Sequence, residues 1–131
     1  MNRKIAHISL LVDDYDEAID FYIRKLHFTL VEDIVLGEDK RWVLIAAQGY
    51  DSFSLLLAKA QGEDQKSQVE NQCGGRVFLF LYTDNFERDY NNLLDHNITI
   101  IRDPVKEPYG TVAVFADLYG NKWDLIEPVQ K

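Results

Sequence analysis

With 131 residues, 47% of them hydrophobic, the chain is long enough to bury a core as one domain or two very small ones. A formal charge of −8 and the lack of clustered Lys and Arg argue against a phosphate-binding face, so no nucleic-acid partner is expected. No stretch approaches the roughly 20 apolar residues that span a bilayer. The single cysteine, Cys73, rules out a disulfide framework and a thiolate metal cluster, so a cytoplasmic protein with no membrane partner is expected.

In chain order, Ile5 to Val12 alternates as a strand, with Ile8, Leu10 and Val12 on one face and His7, Ser9 and Leu11 on the other. Asp13 and Asp14 offer an N-cap, Glu17 completes a capping box with Asp14, and Tyr15, Ala18, Ile19, Tyr22 and Leu26 follow at helical spacing to an end near His27. Strands are expected over Phe28 to Val35, Trp42 to Ala47 and Phe53 to Ala58, with turns near Gly37 to Lys40 and Gly49 to Ser52. Residues 60–75 have no apolar period and are rich in Gln, Glu and Gly, so they read as a linker or surface loop. Arg76 to Thr83 is again a strand. Asp84 is expected to cap a helix carrying Phe86, Tyr90, Leu93 and Leu94, which Asn97 closes, and three strands beginning at Ile98 follow. The last two form a hairpin: Val112 to Ala116, a turn over Asp117, Leu118, Tyr119, Gly120 and Asn121, then Lys122 to Glu127. Asp124 is a carboxylate midway along an otherwise apolar strand and requires either an exposed edge or a polar cleft.

The two halves repeat. Tyr15, Ile19, Tyr22 and Ile23 match Phe86, Tyr90, Leu93 and Leu94 at a separation of 71 residues. Past the helix the separation becomes 70, pairing Phe28 with Ile98, Leu44 with Val114, Phe53 with Trp123 and Leu55 with Leu125. His27 and Asn97 correspond where the residue is lost, and both types tolerate the left-handed conformation that ends helices. A duplicated βαβββ unit explains this agreement. The fold class is therefore α+β: module one over 1–59, a linker over 60–75 and module two over 76–131, forming a single domain whose mixed sheet curls around a cleft.

The same separations send His7 to Phe78, or to Val77 if the residue is lost earlier, and pair Ser54 with Asp124, so that His7, Ser54, Phe78 and Asp124 are the four equivalent positions lining that cleft. Phe78, Phe80 and Tyr82 would then face it together, giving the apolar, aromatic lining with few polar groups usual for a small-molecule site. Core packing explains three such aromatics equally well. Trp42 and Tyr109 flank strands that can line the same cleft, with their facing open. His27 and His96 sit near helix C-termini, where the macrodipole favours positive charge, and read as structural.

The paired βαβββ units, HISLLVDDYDEAIDFY at the start of module one, and Phe115, Asp117, Gly120, Asn121, Asp124 and Leu125 near the end of module two resemble the glyoxalase, bleomycin-resistance and extradiol-dioxygenase (vicinal oxygen chelate) superfamily. Leu118 stands where the family's turn usually has proline. The resemblance implies a cleft that, in metal-dependent members, holds a divalent ion such as Zn, Ni, Mn or Fe through His, Gln or Glu. Carried over, the ligand positions fall on His7, Ser54, Phe78 and Asp124, of which only His7 and Asp124 keep good donors. Two functions follow as expectations. The first is a metal-free, cofactor-free protein binding a small aromatic or hydrophobic molecule. The second is a metal-dependent lyase, isomerase or dioxygenase using His7 and Asp124, with the ion as Lewis acid. Acid–base catalysis by the same two residues without metal is a third. Relatives of this length usually pair, so a homodimer is expected.

Overall fold

The computed structural model describes residues 1–48 and 53–130; the turn expected at Gly49 to Ser52 lies outside the described residues. The chain forms two compact units, Met1–Val69 and Glu70–Lys131. Each is a βαβββ module with its own four-stranded mixed sheet, as the repeat predicts.

In the first unit, β1 (His7–Val12), β2 (Thr29–Gly37), β3 (Lys40–Ala46) and β4 (Ser54–Lys59) are ordered β1-β4-β3-β2. β1 runs parallel to β4, and the remaining pairs are antiparallel. Helix α1 (Tyr15–Ile19) starts at the Asp14 cap that the sequence predicts: the Asp14 carboxylate accepts from the Glu17 amide at 2.8 Å. It continues as a π-helical stretch, Asp20–Lys25, and the chain leaves it through His27 at φ 60°. Period-2 alternation sends Leu10, Val12, Val43, Ile45 and Leu57 to one side of the sheet, where they are fully buried with Ala18 and Tyr22 of the helix. Arg41 ties this side together. Its guanidinium bonds Asp33 and Asp16 and lies over the Tyr15 ring, 5.2 Å from the centroid. This bonding holds the Asp33 carboxyl below its ordinary pKa despite some burial.

Residues 60–75 are not all loop. Gly62–Gln68 form helix α2, with every residue exposed, and Val69 at its end is buried. A lone apolar anchor leaves no helical period to read, which is why composition suggested a linker.

In the second unit, β5 (Val77–Tyr82), β6 (Ile100–Glu107), β7 (Gly110–Ala116) and β8 (Lys122–Pro128) are ordered β5-β8-β7-β6, the same topology. Helix α3 spans Phe86–Asp95 and ends through Asn97 at φ 56°. Its cap is Asn85 and not Asp84: the Asn85 side chain accepts from the Arg88 amide at 3.0 Å, and the Thr83 hydroxyl accepts from the Asn85 amide. Asn85 stands 71 residues after Asp14, so the two caps obey the repeat. The hairpin turn is held by Asp117, a buried carboxylate that accepts from the Tyr119 amide, the Asn121 amide and the Asn121 side chain. Gly120 supplies the positive φ of 86° there. This part of the motif is thus a folding device. Phe115, Trp123 and Leu125 pack on the helix side, the two rings stacked at 5.9 Å, and Glu127 accepts from the Phe86 amide at the start of α3.

Candidate functional site

Each sheet turns one face to its helix and presents the chemistry-bearing residues on the other. On the first, β1 and β4 set His7 beside Ser54, Ser9 beside Leu56 and Leu11 beside Ala58, while the alternate residues go to the helix. Trp42 shares this face, because its ring meets the His7 imidazole edge-on at 6.2 Å. Its indole N–H donates at 3.4 Å to Glu32, two residues along β2 from Ile34, the ladder partner of Trp42. The facing of Trp42 is therefore decided, and it joins His7 and Ser54.

On the second sheet the ladder sets Phe80 beside Asp124 and Tyr82 beside Ile126, with Val114 and Val112 next in line on β7. Paired residues share a face, so the aromatic and acidic side chains stand together on the helix-free side. Phe80 is 60% exposed and Tyr82 70%, whereas Val112, Val114 and Ile126 are buried. Burial pushes the Asp124 carboxyl above the ordinary carboxylate range, and the Arg102 charge draws it part of the way back. Arg102 itself is paired with Glu107 at 3.1 Å.

Phe78 departs from the expected equivalence. Counting along the chain matches it to His7, but β5 bulges between Val77 and Leu79 and the strand slides along β8. Since Ser54 stands beside His7 and Asp124 beside Phe80, the ladder counterpart of His7 is Phe80. Phe78 is half-buried and lines a small hollow with Cys73, Arg76, Asn121 and Lys122. Tyr109 stays outside both groups. It lies at the β6–β7 turn, exposed, with its carbonyl accepting from the Val129 amide. Two partners escaped the sequence reading, Glu32 beside Trp42 and Arg102 near Asp124. They stand 70 residues apart, so the repeat that placed Ser54 and Asp124 also relates them.

Among the described residues no three His, Cys, Asp or Glu side chains converge as a metal would need. At the positions that the resemblance marks, Ser54 and an aromatic ring stand in place of a carboxylate and an imidazole, leaving His7 and Asp124 as the good donors.

The profile of the Glyoxalase/Bleomycin resistance protein/Dioxygenase superfamily matches residues 4–125, and the chain belongs to that family. An uncharacterized protein of Shewanella frigidimarina is 55% identical over 128 residues, 97% of this chain and 95% of that protein. Among solved structures, UcmS2 superposes with a TM-score of 0.83 at 28% identity, covering 97% of this chain and 99% of its own. TnmS3, an antibiotic-binding protein from Streptomyces sp. CB03234, superposes with a TM-score of 0.76 at 28% identity over 98% and 99%.

Proposed function

We propose that this protein binds a small aromatic or hydrophobic organic molecule on the helix-free faces of its sheets, and that it does so without a metal or other cofactor. The observation that carries the reading is the pair Phe80 and Tyr82, largely exposed beside a carboxylate that burial disfavours in its charged form. Exposed rings of this size have a hydrophobic cost that a planar ligand relieves. The likeness to an antibiotic-binding protein supports the same class of ligand. On the sheet of the first module Trp42, His7 and Ser54 form an aromatic surface with polar groups of its own.

The test is a fluorescence and calorimetric screen of planar organic molecules against the parent chain and Phe80→Ala. We expect micromolar binding that weakens about tenfold in the variant, the effect of losing one stacked ring. Equal affinity in the variant removes the second face from the reading. Metal analysis of protein purified without chelator tests the remainder. A stoichiometric divalent ion that disappears in His7→Ala would overturn metal-free binding and return the metal-dependent enzyme.

Two further assignments belong to this proposal. A free thiol as the sole cysteine suits the cytoplasm, and no helix among the described residues is long and apolar enough to cross a membrane. The protein acts as a homodimer, for which the edge strand β2 offers a contact surface. Val31, Val35 and Leu36 are exposed along it, and no proline interrupts it.

A further inference from the structure

From the second module we infer that the ligand is a planar molecule bearing a cationic amine, with Phe80 and Tyr82 stacking on its rings and Asp124 receiving its positive charge. This rests on the small-molecule reading above and specifies the chemistry of its ligand. Three observations converge. Phe80 and Tyr82 are alternate residues of β5 and project from the same face, 60% and 70% exposed. Asp124 sits directly beside Phe80 on that face. Its side chain, half-buried, makes no hydrogen bond or ion pair among the described residues. A carboxylate next to exposed ring faces is the arrangement that attracts a flat cation, through charge at one end and ring quadrupole along the other.

The nearby cations act on Asp124 only at a distance, the Arg102 charge offsetting part of the effect of burial, and neither makes a direct bond to it. Arg102 is held by Glu107 at 3.1 Å, and Lys122 on the same face of β8 donates to the Gly75 carbonyl at 3.0 Å. A net charge of −8 adds a long-range bias toward cationic ligands. A planar anion would instead need Arg102 to leave Glu107 while Asp124 repelled it.

Three tricyclic probes of similar outline separate the possibilities: proflavine as the cation, acridone as the neutral molecule and anthracene carboxylate as the anion. Titration of the parent chain is expected to rank them in that order, with proflavine about tenfold tighter than acridone. In Asp124→Asn the proflavine advantage disappears while acridone binding is kept, which also shows that the variant is folded. Phe80→Ala weakens proflavine and acridone alike. Anthracene carboxylate binding as tightly as proflavine, or a proflavine advantage surviving Asp124→Asn, overturns the inference while leaving small-molecule binding intact. Failure of all three probes overturns the underlying reading as well, whereas binding unchanged by Phe80→Ala removes the second face from that reading and overturns the inference. If the rings are instead covered by a second copy of the chain, Phe80→Ala dissociates the dimer in sedimentation, and the inference fails with it.

Discussion

Asp124 and Asp33 show how one residue type is driven in opposite directions by its surroundings. Desolvation raises the Asp124 pKa above 3.8, with Arg102 offsetting part of the effect and Lys122 and Tyr82 on the same sheet face. The folded chain therefore binds a proton that the unfolded chain has released, and stability falls as pH rises above 3.8 through the folded-state value. Bonding to Arg41 lowers the Asp33 pKa, so its contribution is present above 3.8 and is lost as pH falls through its folded-state value. Urea midpoints should accordingly move in opposite senses at neutral pH. Asp124→Asn is expected to be more stable than the parent and Asp33→Asn less stable, each by under about 1 kcal/mol because both groups are partly exposed. Both differences should vanish in acid, once the parent carboxyls are protonated. An Asp33→Asn deficit that persists there would mean that the Arg41 contacts act through packing and not through charge.

Among the elements, the helix of the first module is the informative one. Between the equivalent residues Tyr15 and His27 it holds one residue more than the second module does between Phe86 and Asn97. The π-helical stretch Asp20–Lys25 absorbs that residue. The closing bonds record the difference: the Phe28 amide reaches back to the Tyr22 carbonyl at 2.9 Å, whereas Ile98 reaches Leu93, one residue nearer, at 2.9 Å. The change in separation from 71 to 70 was visible in the sequence, but its form was not. A spare residue can enter a loop or widen a helical turn, and only packing on both sides of the helix selects the latter. Deleting Arg24, which is exposed and whose guanidinium bonds only Asp20 among the described residues, should convert the stretch to α-helix and leave the flanking residues in register. We expect a cooperatively folded variant within about 2 kcal/mol of the parent, measured by urea unfolding. Loss of cooperative unfolding would show that the wide turn is required by its contacts.

For the whole molecule, association is the property that exposed strand edges bear on. β6 carries Pro104 and two irregularities of register against β7, which blunt its edge. β2 also has two irregularities of register, against β3, but it lacks proline, and Val35 is 74% exposed along it. Antiparallel pairing of two β2 edges about Ile34 would set Asp33 opposite Val35 and Glu32 opposite Leu36, so that no like charges meet. Val35→Lys places a charge in that contact and is expected to shift sedimentation from dimer to monomer at micromolar concentration, with the fold unchanged by circular dichroism. A variant that remains dimeric would locate the contact elsewhere.

The duplicated topology, the Asp14 cap, the helix ends at His27 and Asn97 and the hairpin turn were legible without coordinates, because they depend on local periodicity and on which residues tolerate particular backbone angles. The same periodicity put His7 and Asp124 on the faces away from their helices. Strand register was decided by the tertiary structure. A bulge at Phe78 displaces β5 along β8, brings Phe80 beside Asp124 and leaves Phe78 in a separate hollow. Such a slip costs one strained residue and preserves the alternation of faces beyond it, so it leaves no trace in the hydrophobic pattern. Which aromatic ring stands beside the acid is set by how the strands pair across the sheet.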